Sequence, residues 1–181
     1  MPEKTIILPE RKHIRLKGYD YSDYGVYYVT ICVRDRMNLF GKLTPLYAPG
    51  TDILCGAAIR KTTIAKFVEQ TWHKIPEIYP YVLDDSFVIM PDHIHGILIW
   101  KDKTFFGFEN TKTLSQVIAA FKSITTREYK KLYNSNDTLW QSGFYETILT
   151  GEKQYSTAVD YIEHNPYYRL LKNQDAQTNN T

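Results

Sequence analysis

At 181 residues, 43% hydrophobic and 23% charged, the chain has the composition of one soluble domain, long enough to bury a core without disulfide or metal staples. Its formal net charge of +2 is too small to indicate a nucleic-acid partner from the total alone. No apolar run is long enough to span a bilayer and the Met-Pro-Glu-Lys-Thr start lacks the apolar region of a signal peptide, so a cytoplasmic protein with no membrane partner is expected.

Residues 1–24 are polar and interrupted by Pro2, Pro9 and Gly18, with Arg11, Lys12, Arg15 and Lys17 close together. They read as a basic arm lying on the domain, with Arg15 and Lys17 as candidate contacts to a DNA backbone. Gly25 to Val33 is rich in β-branched and aromatic residues, the composition of a buried strand, which places Cys32 in the core. Cys55, the only other cysteine, forms no metal or redox spacing with it, so both are expected to be reduced. Residues 34–55 carry Gly41, Pro45, Pro49 and Gly50 and read as a long connection. From Ala58 to Ile75 the residues Ile64, Phe67, Val68, Trp72 and Ile75 recur at the spacing of one helical face, which Pro76 and Pro80 end.

Tyr81 to Met90 reads as a second strand, Pro91-Asp92 as its tight exit, and His93 to Trp100 as a third strand beside it. Leu114, Val117, Ile118, Phe121 and Ile124 mark a second amphipathic helix over residues 113–131, and its other face carries Lys122, Arg127 and Lys130. Residues 101–131 hold seven basic residues against three acidic ones, a local balance of +4. Lys122, Arg127 and Lys130 are therefore further candidate DNA contacts. Trp140-Gln141-Ser142-Gly143 precedes a fourth strand, Phe144 to Thr150. Gly151 to Asn165 reads as a last helix that Pro166 prevents from continuing. Residues 172–181, rich in Asn, Gln and Thr, read as a disordered tail.

The order strand, helix, strand, strand, helix, strand, helix predicts an α+β fold of the ferredoxin-like, split β-α-β kind. It has an antiparallel sheet with helices on one face, plus an added C-terminal helix that bears a tyrosine. The domain is expected to span residues 25–171.

Chemistry concentrates in Met90-Pro91-Asp92-His93-Ile94-His95-Gly96. Side chains two apart on a strand share a face, so His93 and His95 can hold one metal ion between them while Ile94, Leu98 and Trp100 face a core. On the last helix, Tyr161 and Asn165 are four apart and project from one side. If that side meets the free face of the sheet, Asn165 can offer its carbonyl oxygen to the metal and Tyr161 its hydroxyl to a substrate. His164 is the rival third ligand. Two imidazoles and an amide are neutral, so a divalent ion there keeps its full charge for an anionic substrate such as a phosphodiester. Mixed nitrogen and oxygen ligands with open positions point to Mg²⁺ or Mn²⁺ over a closed zinc site.

Taken together, Arg15-Leu16-Lys17-Gly18-Tyr19-Asp20-Tyr21-Ser22, Tyr28-Val29-Thr30-Ile31-Cys32, Phe87 to Ile97, Phe121-Lys122-Ser123, Trp140-Gln141 and Asp160-Tyr161-Ile162-Glu163-His164-Asn165-Pro166 resemble, in order, the REP-associated tyrosine transposases. These are single-tyrosine HUH transposases. The resemblance implies that His93 and His95 are the HUH pair, Asn165 the third ligand and Tyr161 the nucleophile. It further implies a single-stranded DNA partner, often a hairpin, cleaved through a 5′-phosphotyrosine intermediate that a 3′-hydroxyl can resolve to join strands. Relatives include dimers whose tyrosine helix serves the partner's site and others that act alone, so a homodimer stays open. Where many members carry a histidine after the Trp-Gln pair, this chain has Tyr145-Glu146-Thr147-Ile148.

A second class of function is a catalytically silent or domesticated hairpin-DNA-binding protein. A third, the two-histidine phosphoesterases, requires paired His-x-Thr or His-x-Ser motifs, and none occurs here.

Overall fold

The computed structural model describes residues 20–178. In chain order they form β1 (Gly25–Cys32), β2 (Gly41–Tyr47), β3 (Leu54–Lys61), α1 (Thr63–His73), the single turn α2 (Ile75–Ile78), β4 (Val82–Met90), β5 (His93–Trp100), the short α3 (Lys103–Phe106), α4 (Leu114–Tyr133), β6 (Tyr145–Ile148) and α5 (Glu152–Thr178). Arg15 and Lys17 of the expected arm lie outside the described residues.

The main sheet has the order β4-β5-β1-β6 with every neighbouring pair antiparallel. This is the order expected of a split β-α-β fold. One face of the sheet carries Tyr27, Val29, Ile31, Ile94, Leu98 and Trp100, all fully buried. Against it pack Ile64, Val68 and Trp72 of α1 and Leu114, Val117, Ile118 and Phe121 of α4. Both helices start where side chains satisfy their first amides. Thr62 accepts from the Ala65 N–H at 3.3 Å, and Thr113 with Gln116 forms a reciprocal capping box. Trp72 lies over β5 where a side chain would otherwise stand: a Cβ on Gly96 would come 2.3 Å from Cζ2 of the indole.

Several expectations are corrected. The supposed connection at 34–55 contains β2 and the start of β3, a separate two-stranded hairpin. Residues 58–61 belong to β3, so the first helix starts only at Thr63. Pro45 disguised β2, but a strand of a two-stranded sheet has an unpaired edge, where a missing N–H costs nothing. Most consequentially, Pro166 does not end the last helix. α5 continues through it to Thr178, so the segment from Lys172 to Thr178 is helical instead of disordered. An interior proline costs about 3 kcal/mol, but here Pro166 is buried and the residues beyond it pack on the β2–β3 hairpin. Tertiary burial outweighs local propensity. The fourth strand is also shorter than read, at four residues.

Candidate active site

β5 carries His93 and His95 on the sheet face that α1 and α4 leave free, and α5 crosses that face. The strand begins directly after the Pro91-Asp92 turn, which is tied down from outside. The Asp92 carbonyl accepts from the Val33 N–H at 2.9 Å and the Pro91 carbonyl from the Phe40 N–H at 3.0 Å.

Each imidazole is held by its outer nitrogen. His93 Nδ1 lies 2.7 Å from Asp92 Oδ1, and His95 Nδ1 lies 2.7 Å from Tyr28 Oη and 2.8 Å from Thr30 Oγ1. Thr30 sits directly opposite His95 in the β1–β5 register. The Asp92 carboxylate accepts from His93 Nδ1–H, which leaves a lone pair on His93 Nε2; when Tyr28 or Thr30 accepts from His95 Nδ1–H, His95 Nε2 is a ligand as well, and the two Nε2 atoms face each other at 3.0 Å. Asp92, His93 and His95 are all buried. Burial, then the nearby charge of Arg36, pushes His95 down to about 3, so it is neutral at physiological pH. Burial pushes Tyr28 up to about 12, which keeps its hydroxyl protonated. Burial would raise Asp92, but its hydrogen bond to His93 and the charge of Arg36 outweigh this and hold its carboxyl below the ordinary value. Arg36 reaches it at 3.4 Å from a left-handed backbone, φ 55°, a conformation that costs a non-glycine residue about 1–2 kcal/mol.

α5 brings the nucleophile candidate to the same place. The Tyr161 ring lies 5.3 Å from His95 and 6.4 Å from Tyr28, edge-on to both. It is 45% exposed, whereas Asn165, one turn on, is 6% exposed. His164 is half-exposed, with Nδ1 2.9 Å from the Asp160 carbonyl oxygen and 3.1 Å from its carboxylate. Beside Tyr161 opens a cavity of about 570 Å³ lined by Tyr28, Thr147, Leu149 and Ala158. Thr147 thus shares this cavity with Tyr161.

The donor set fits a divalent cation. With both Nδ1 atoms protonated, the two Nε2 lone pairs converge on one point and can share a cation. At metal–ligand distances of about 2.1 Å, neighbouring octahedral ligands stand about 3.0 Å apart, while tetrahedral ones stand about 3.4 Å apart. The anchored Nδ1 atoms are the outer support that metal-bound histidines use. Among the described residues no cluster of three or more His, Cys, Asp and Glu is placed to hold a metal; Asn165, buried one turn from Tyr161 on α5, is the candidate third donor.

Tyr28, Thr30, Asp92 and Arg36 escaped the sequence reading. Tyr28 and Thr30 alternate on a predicted strand, and pairing that strand with the His-x-His strand would have found them. The described DNA-contact candidates, Lys122, Arg127 and Lys130, lie on α4, away from this site. Arg127 and Lys130 line a groove of about 800 Å³ between α4 and residues 138–144, on the helix α4 that covers the opposite sheet face. Lys122 also borders this groove, but its ammonium donates to the carbonyls of Gln141 at 2.6 Å and Gly143 at 2.7 Å. It pins that loop. Cys32 is buried and Cys55 exposed, both free, and no helix among the described residues is long and apolar enough to cross a membrane.

A family model described as "Transposase IS200 like" matches residues 57–165. An uncharacterized protein of Haemophilus influenzae is 31% identical over 170 residues, spanning 86% of this chain and 88% of that protein. Among solved structures, that of a REP-associated tyrosine transposase bound to a REP hairpin is similar in fold, with a TM-score of 0.58 and 20% identity, over 86% of this chain and 73% of that one. A putative transposase from Deinococcus radiodurans matches with a TM-score of 0.47 and 14% identity, over 82% and 95% of the two chains.

Proposed function

This chain belongs to the IS200-like transposase family, and on that footing we propose that it is a metal-dependent endonuclease and strand transferase for single-stranded DNA, of the REP-associated tyrosine kind. One observation carries the reading: two buried imidazoles face each other at 3.0 Å with the exposed Tyr161 ring 5.3 Å from one of them.

His93, His95 and Asn165 would hold Mg²⁺ or Mn²⁺, whose charge would stabilise the developing negative charge on a phosphodiester. Asp92, Tyr28 and Thr30 fix the imidazoles, so little reorganisation accompanies the reaction. Tyr161 Oη forms a bond to phosphorus as the bond to the 3′-oxygen breaks. The phenolic proton lost is balanced by the one that the departing 3′-hydroxyl gains. The product is a 5′-phosphotyrosine, and attack by a 3′-hydroxyl reverses the step and joins strands without net hydrolysis. Tyr161 lies beside the histidines of its own chain, which supports a site completed within one chain. A hairpin single strand is the proposed DNA partner, with Arg127 and Lys130, and Arg15 and Lys17 of the arm, as phosphate contacts.

The test is incubation with labelled hairpin single strands and Mn²⁺, followed by a denaturing gel. A covalent adduct that needs the metal and is lost in Tyr161→Phe supports the reading. Thr147 beside the nucleophile favours the second reading, a silent hairpin binder. Such a binder would keep its affinity under chelation and form no adduct.

A further inference from the structure

We propose that the groove between the β2–β3 hairpin and the second half of α5 is a phosphate track for single-stranded DNA, with Lys42, Arg60 and Arg169 as its cations. This rests on the functional reading above and adds a surface to it.

The groove, about 780 Å³, begins at Pro91, one residue before Asp92, and is walled by Arg169, one turn beyond Asn165. Through these two residues the groove adjoins the elements that carry the site. No Asp or Glu lines it. Lys42 and Arg60 are directly opposed in the antiparallel register of the hairpin, a placement where like charges destabilise a ladder. Both are exposed, and neither forms an ion pair among the described residues. The next cation, Lys61, is neutralised by Glu69. Arg169 supplies a third exposed cation, on the α5 wall of the groove. A self-repelling cation pair in an acid-free groove gains most from a polyanion, which neutralises both charges and releases its own counterions. A strand with one phosphodiester at His93 and His95 carries further phosphates along its backbone, which the groove beside the site can receive. The wall exists only because α5 continues past Pro166.

The experiment measures Kd for a labelled single strand as a function of salt, comparing the full chain with the double variant Lys42→Ala, Arg60→Ala. A charge-matched control removes two exposed cations of α1 and its C-terminal end, Lys66→Ala with Lys74→Ala. Two lost phosphate contacts are expected to reduce the log–log salt slope by about 1.4, with the control unchanged. Equal slopes for the groove variant and the full chain, or equal losses in the groove variant and the control, overturn the proposal. If the unmodified chain binds no single strand at any salt, the functional reading falls and takes this inference with it. Retained DNA binding with an unchanged groove slope removes the track alone.

Discussion

His93 and His95 confront each other through Nε2 at 3.0 Å, with both outer nitrogens already engaged. A pair so placed can share a cation, and among the described residues no cluster of three or more His, Cys, Asp and Glu competes for it. Mn²⁺ should therefore raise the melting temperature of the protein by mass action on the folded state. In His93→Ala or His95→Ala the shift should vanish. Scanning calorimetry with and without the ion measures it, and an undiminished shift in both variants would place the metal elsewhere.

Asp92 touches the metal site only through His93, at 2.7 Å. Asp92→Ala should weaken Mn²⁺ binding by about 10–100-fold, the usual effect of removing an outer partner of a metal-bound histidine. Titration calorimetry reads the constant directly. Tyr28→Phe should do less, since Thr30 still holds the same nitrogen.

Tyr161 is half-exposed, so Tyr161→Phe should change stability by less than about 0.5 kcal/mol. The DNA–protein adduct should nevertheless disappear while noncovalent binding persists. A gel-shift assay beside the denaturing gel separates the two, and an adduct surviving in the variant would point to another nucleophile.

Gly96 faces Trp72, whose indole cannot retreat because Nε1–H donates to Asp84 Oδ1 at 2.8 Å. Gly96→Ala should destabilise the fold by about 1–3 kcal/mol through overpacking. Because Gly96 adjoins His95 on β5, metal affinity should fall with it. Urea unfolding in chelator and in Mn²⁺ would show a smaller metal-dependent gain than in the parent.

Asp20 bridges the start of the described chain to Lys103 at 2.9 Å. Hydrogen bonds from Ser22 and Lys103 lower its carboxyl from 3.8 to about 2. A depressed folded pKa contributes stability above 3.8 that is lost as pH falls through about 2. Asp20→Asn should thus be slightly less stable than the parent at pH 6, and the two curves should converge toward pH 2. The pair is exposed, so added salt should shrink the difference as well.

Much of this protein was written locally. The period of two along Asp92-His93-Ile94-His95 placed the histidines on one face and Ile94 in the core, because strand geometry allows nothing else. The three-and-four spacing of Ile64, Val68 and Trp72, and of Leu114, Val117 and Phe121, marked the two helices that cover the sheet, and the order of elements implied its topology. Tyr161 and Asn165 were one helical turn apart wherever that helix might lie. Tertiary structure decided the rest. It chose the sheet face that α5 crosses, carried that helix through Pro166, and paired Lys42 with Arg60 on a hairpin that two prolines and two glycines had disguised as a loop. It also brought Tyr28 and Thr30 to His95 across 67 and 65 residues of chain. Backbone geometry sets which side chains share a face within one element, so it is legible from spacing. Which faces then meet depends on burial summed over distant segments, and that sum can override a proline or hold together two like charges that no local rule would favour.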